Sequence, residues 1–208
     1  MAQRSNHYDA AFEALLRAEK LPYIAVDETR RALLQQASLK SMDYLVYAPG
    51  GQKNLLVDVK GRRFPPARCR SQTGASWENW ATAEDITSLL TWQRVFGDSF
   101  RAVLVFAYEL GSVLWTQEFP QIYAFRGQAY AYFGVWVDDY RLEMKTRSAS
   151  WGTVDLSQAA FRRLRFPLAQ VWERPGDANV PPASDPCSDL WPPEHALADG
   201  LRELAGCP

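Results

Sequence analysis

The sequence predicts an α/β fold in which a mixed sheet is layered against helices, and three observations carry that prediction. Segments over the first half read in the order helix, strand, strand, strand, helix, strand. Arg101–Tyr108, RAVLVFAY, is an almost continuous apolar run, as befits a strand covered on both faces. Met42–Tyr47 and Leu55–Lys60 are two short apolar runs separated by Pro49-Gly50-Gly51, the punctuation of a hairpin.

Each element has its own signal. Asn6 is an N-cap with Asp9 three residues on, and Tyr8, Phe12, Leu15 and Leu16 follow helical spacing until Pro22 ends the segment. Glu13 falls on the flank of that apolar stripe, where an acid is ordinarily a boundary residue half in water. Leu21–Val26 reads as a strand, and Asp27–Gln36, DETRRALLQQ, as a short helix or helical turn leading to the hairpin. Phe64–Ala81 is a long connection holding Pro65-Pro66, several arginines, Trp77 and Trp80. Arginines interleaved with aromatics can stack on bases, although a loop tryptophan more often anchors the loop to its own core.

A second helix is capped by Thr82, carries Glu84 and Asp85 in its first turn, and stops at Gly97. Its buried stripe is Ile86, Leu89, Leu90 and Gln93; the amide at the last place needs partners, and the acidic face of the sheet is within its expected reach. Beyond Tyr108, Ile122–Phe125 and Gln128–Val137 are expected to pair around Arg126-Gly127. Asp138-Asp139 reads as a turn or N-cap before Tyr140–Lys145, and Ser157 as the cap of a short helix through Arg163. Pro175, Pro181, Pro182, Pro186, Pro192 and Pro193 mark a linker or extended wrap, after which Leu197, Leu201 and Leu204 form one short amphipathic helix. The expected division is a domain over 1–172, with its core at about 7–108 and a strand-rich addition over 109–172, followed by a Pro-rich tail over 173–208.

Composition narrows the function classes. At 47% hydrophobic and 23% charged, the chain can bury a real core. No apolar run approaches membrane-spanning length, and MAQRSNHYDA lacks a signal peptide's apolar segment, so a cytoplasmic protein without membrane attachment is expected. Cys69, Cys187 and Cys207 are too far apart for a zinc site and odd in number, which suits free thiols. With His7 and His195 the only histidines, a histidine-rich metal centre is excluded. The formal net charge of -1 is no polyanion-binding signature, but Lys60, Arg62, Arg63, Arg68 and Arg70 form a run free of acids that could steer one.

Candidate chemistry lies in Ser41–Arg63. Alternation points Leu55, Val57 and Val59 to one face and Leu56, Asp58 and Lys60 to the other. A turn centred on Gly50-Gly51 makes opposed residues sum to 101, which sets Asp43 across from Asp58 with Cβ atoms roughly 5 Å apart. Two facing carboxylates repel unless one is protonated or a cation lies between them. A divalent metal held by Asp43 and Asp58 resolves the conflict through hard oxygen ligands, with Lys60 beside it to orient a water or stabilise charge on a phosphate.

This order of elements, with Glu13 on the first helix, Asp43 on one strand and Asp58-Val59-Lys60 on the next, resembles the PD-(D/E)XK nuclease superfamily, and within it the archaeal Holliday-junction-resolvase type. The resemblance covers roughly residues 7–108. It implies a restriction-endonuclease-like αβββαβ core with a mixed central sheet, here with extra strands and a Pro-rich C-terminal extension. It also implies a metal-dependent nuclease that hydrolyses DNA phosphodiester bonds by metal-activated water. Carried over by position, Asp43 and Asp58 are metal ligands, Lys60 is the catalytic lysine, Glu13 completes or supports the metal site, and Gln93 matches a polar residue of the following helix. The implied cofactor is Mg²⁺, with Mn²⁺ as an alternative; DNA is the partner, and Arg62, Arg63, Arg68 and Arg70 are its candidate contacts. A homodimer is compatible with the type. Two features depart from the pattern: Met42 stands where the motif has proline, and Gly97 stands where a RecB-like subgroup has tyrosine four residues after the glutamine. The alternative reading is a silent nuclease-fold protein acting as a nucleic-acid-binding or assembly subunit.

Overall fold

The computed structural model of the chain describes residues 6–27, 32–34, 37–50, 52–64, 77–111 and 119–172. Arg68, Arg70, Cys69 and the Pro-rich segment, with the short helix expected after it, lie outside the described residues. Asn6 accepts the Tyr8 N–H at 3.1 Å and starts α1 (His7–Ala18). The strands β1 (Tyr23–Ala25), β2 (Ala32–Leu34), β3 (Ala37–Leu39), β4 (Tyr44–Val46) and β5 (Asn54–Arg63) follow. Ala32–Leu34 was expected to be helical and is instead a strand, paired with β3 in a local antiparallel ribbon. Pairing with the adjacent strand here outweighs the helix propensity of Ala32, Leu33 and Leu34.

A two-residue strand, β6 (Ala81–Thr82), leads into α2 (Ala83–Phe96). Thr82 and Asp85 close a capping box, with each side chain taking the other's backbone N–H. After Gly97, whose φ of +75° suits glycine, the chain enters β7 (Phe100–Glu109). Next come β8 (Tyr123–Phe125) and β9 (Gln128–Trp136), joined at Arg126 and Gly127 with φ of 50° and 76°. Positive φ at both positions is what a tight hairpin of this twist needs. The remaining elements are α3 (Val137–Glu143), β10 (Lys145–Ser148), β11 (Thr153–Asp155), α4 (Gln158–Leu164) and β12 (Phe166–Pro167). Asp138 and Asp139 occupy the first turn of α3, and Ser157 caps α4.

The central sheet runs β1-β4-β5-β7-β9-β12, with β8 also on β9. β5 and β7 are parallel over ten positions, from Asn54↔Phe100 to Arg63↔Glu109, and the other pairings are antiparallel. The sheet is therefore mixed, and the chain has an α/β fold. Its two faces carry separate cores. Leu55, Val57, Val59, Val103, Val105 and Ala107 pack against Phe12, Leu15 and Leu16 of α1. Leu56, Leu104, Phe106 and Tyr108 pack against Ile86 and Leu89 of α2 and Tyr140 of α3. Burial on both faces explains the near-continuous apolar strand β7. A smaller sheet, β10-β11-β6, adjoins the start of α2. Trp77 is an anchor: its ring meets those of Phe64, Tyr108 and Phe133 at 4.6, 5.0 and 5.5 Å. No described helix is long and apolar enough to cross a membrane.

Candidate active site at the start of the second helix

The hairpin register is the expected one. Tyr44 opposes Val57, Leu45 opposes Leu56 and Val46 opposes Leu55, every pair summing to 101. The ladder ends at Tyr44 and Val57, and the Asp43 N–H donates to the Val57 carbonyl at 2.9 Å, one residue out of that register, so the expected pairing of Asp43 with Asp58 is not part of the ladder. Both acids are buried, Asp58 to 3% exposure. Their repulsion is relieved by separate donors. The Asp43 Oδ2 accepts the Val59 N–H at 2.6 Å, closing the β5 edge where the ladder with β4 ends.

Asp58 meets the ammonium of Lys60, two residues on along the same face, with Oδ2 and Nζ 2.6 Å apart. The buried Oδ2 of Asp58 is thus held by the Lys60 ammonium, its close charged partner. The same ammonium lies 2.7 Å from Oδ2 of Asp85 in the first turn of α2. Lys40 holds the other oxygen of Asp85, and its carbonyl receives the indole N–H of Trp92 at 2.9 Å. Two carboxylates and two ammonium groups thus form one cluster between β5 and α2.

Electrostatics divide the three central groups. Burial pushes the Asp58 carboxyl up; Lys60 opposes the shift, and nearby Asp85 reinforces it. Burial works against the Lys60 ammonium, but the Asp58 and Asp85 carboxylates outweigh it and hold Lys60 above its ordinary value. Burial also disfavours charge on Asp85, yet Lys60 and Lys40 overcome it and keep that carboxyl well below the usual range. Lys60 is therefore a fixed positive charge at neutral pH and not a proton acceptor.

Other expected residues lie elsewhere. Glu13 sits on the α1 side of the sheet, where its Oε1 accepts from Arg17 at 2.7 Å and from the Tyr23 hydroxyl at 2.8 Å. Gln93, two turns beyond Asp85, does not reach the acidic face. Its Nε2 donates to Asp138 at 3.1 Å and its Oε1 accepts the Ala102 N–H at 2.7 Å, beside a cavity of about 510 Å³ between α2 and α3. Arg62 points inward and is buried. One nitrogen donates to the Gly61 carbonyl at 2.7 Å, another to the Trp80 carbonyl, and the guanidinium lies 3.9 Å over the Trp80 ring. Arg63 is exposed.

Asp85 and Lys40 are the members that sequence reasoning missed. Asp85 was already accounted for as a helix-start acid, and nothing local marks Lys40. For Arg62 a signal existed. If the strand runs past Lys60, alternation puts Leu56, Asp58, Lys60 and Arg62 on one face, and that face is the one covered by α2.

The donor set fits a hard divalent cation by its chemistry, since Asp43 and Asp58 are two buried carboxylates where the β4–β5 ladder ends. Magnesium is commonly held by one or two carboxylates with water and substrate phosphates completing its shell. Among the described residues no three His, Cys, Asp or Glu side chains gather as a metal group.

No protein-family model matches the chain. No curated protein matches it either. Among solved structures it is similar to that of Archaeoglobus fulgidus Hjc, a Holliday junction resolvase from an archaeal hyperthermophile, with a TM-score of 0.47 and 15% identity, over 79% of this chain and 97% of that one.

Proposed function

We propose that the chain is a metal-dependent nuclease acting on DNA phosphodiester bonds. The carrying observation is two buried carboxylates where the β4–β5 ladder ends, Asp43 and Asp58, with the ammonium of Lys60 2.6 Å from Asp58. Asp58 and Asp43 would hold the cation, which when bound supplies a polarised water and neutralises phosphate charge. Lys60 adds a positive charge where negative charge grows on the phosphoryl oxygens. Asp85, itself held by Lys40, orients Lys60 and together with Asp58 keeps it charged. The low-dielectric surroundings strengthen each of these interactions.

The test is cleavage of DNA by the purified chain with Mg²⁺ or Mn²⁺. Wild type is expected to nick or degrade some DNA form, and Asp58→Ala and Lys60→Ala each to abolish it. Activity unchanged in both variants ends the proposal.

One observation favours a second reading, a silent nuclease-fold protein that binds DNA or serves in an assembly. Lys40 and Lys60 already neutralise Asp58 and Asp85, so the cluster is balanced without a metal. Mn²⁺ titration separates the two readings: an enzyme binds the ion at Asp58, and a silent protein leaves it free.

A further inference from the structure

The β10–β11 hairpin carries the most unusual surface residue among those described. Trp151, at its turn, is 81% exposed. A fully wetted indole costs solvation that a protein ordinarily avoids, whereas isolated smaller apolar residues on a surface need no explanation. The turn itself is firmly held. At the base of the hairpin Asn79 bonds both backbone groups of Leu156, at 2.8 and 3.2 Å, and the Tyr140 hydroxyl shares its one proton between the Asn79 and Val154 carbonyls, at 2.8 and 3.1 Å. Gly152, with φ of +58°, turns the chain so that its carbonyl accepts the Ala83 N–H at 2.9 Å. Ala83 is the first residue of α2, two positions before Asp85. One hydrogen bond therefore links the residue next to Trp151 to the helix turn that grips Lys60.

The strand leading to this turn is basic. Lys145 and Arg147 are exposed, and the Arg147 guanidinium stands 5.6 Å over the Trp80 ring, on which Arg62 also lies. Asp155, opposite Lys145 in register, offsets part of that charge. An exposed indole on a hairpin whose leading strand carries exposed cations fits a chain that alternates flat bases with phosphates. Paired bases inside a duplex hide their faces in the stack, so the complementary ligand is unpaired DNA.

We infer that Trp151 stacks on a base of single-stranded or locally unpaired DNA running past the start of α2, with Lys145 and Arg147 on its phosphates. The inference rests on the nuclease reading for the reason DNA comes there, and it makes the hairpin a selector of DNA form.

The test is binding, without metal, of a labelled oligothymidylate and of a blunt duplex of equal length, followed by fluorescence anisotropy. Trp151→Ala is expected to weaken oligothymidylate binding by roughly 10-fold and to leave duplex binding within about 2-fold, as loss of one stacking contact requires. Trp151→Phe, which keeps an aromatic face, is expected to retain most of the affinity. Equal binding by wild type and Trp151→Ala, or an equal loss on both DNA forms, overturns the inference. The readout is independent of cleavage. An inactive wild type that shows this discrimination sinks the nuclease reading alone, and an active one that lacks it sinks the stacking contact alone.

Discussion

Lys60 on β5 and Asp85 on α2 are joined by an ion pair of 2.7 Å, and Asp85 is at the same time the capping residue of its helix. Its Oδ2 accepts the Thr82 N–H at 2.9 Å. One carboxylate thus secures a helix start and positions the ammonium in the candidate site.

Asp85→Ala removes one partner of a buried pair and leaves Lys60 with Asp58 alone. A destabilisation of about 3 kcal/mol is expected in urea unfolding. The pH dependence has a defined sign. Because the folded carboxyl is held below its unfolded value of about 3.9, its stabilisation is present above that pH and lost as pH falls through the folded value. The variant should therefore lose less stability than wild type between about pH 4 and the acid limit.

Asp58 should show the opposite balance. Its folded carboxyl is raised, so the stability tied to its neutral form is present below the unfolded value and disappears as pH rises through the folded one. Asp58→Asn carries no such loss. It is expected to unfold at a urea midpoint no lower than wild type at neutral pH while losing all cleavage. A marked fall in the midpoint would show that the Asp58 charge stabilises the fold through Lys60.

Much of this site was legible. Gly50 with its φ of +73° and the two apolar runs set the register from Tyr44–Val57 to Val46–Leu55, because a hairpin's turn dictates its pairing, whereas the slip at Asp43 left no mark in the sequence. Alternation along β5 then put Asp58 and Lys60 on one face. Asp85 was not legible as a site member, since its meeting with Lys60 depends on where a distant helix lands. Gln93 misled for a related reason. A polar residue in an apolar stripe announces a need for partners without naming them, and the ones found are Asp138 and Ala102 at the far end of α2. The segment before β3 misled because its alanine and leucines favour a helix in isolation, and pairing with the adjacent β3 overrides that preference.

Glu13 provides a contrast with the resemblance. Its contacts are Arg17, four residues on along α1, and Tyr23, with the Arg17 side chain 62% exposed. Glu13→Ala is expected to cost less than about 1 kcal/mol and to leave the cleavage rate within about 3-fold of wild type. A loss comparable to that of Asp58→Ala would return Glu13 to the catalytic set.

Gly61, next to Lys60, lies flat beneath the Tyr8 ring, and a Cβ there would stand 2.2 Å from Tyr8 Cδ2. Gly61→Ala is expected to destabilise by about 1–3 kcal/mol through overpacking. It should also free the Tyr8 hydroxyl from Glu109. Burial and that carboxylate push the Tyr8 phenol up to about 12 in wild type, so ultraviolet titration should find one more tyrosine ionising near the ordinary value of about 10 in the variant.

The ten-position parallel ladder between β5 and β7 has a temporal consequence. Parallel neighbours cannot be joined by a tight turn, so residues 64–99 must first travel over the sheet and return. Closing so long an excursion precedes any reward from the ladder, which makes it a slow stage of folding. Lys60 acquires its second counter-ion only when that excursion, α2 included, has settled. The newly made chain therefore leaves the Lys60 ammonium short of a counter-ion until that excursion closes.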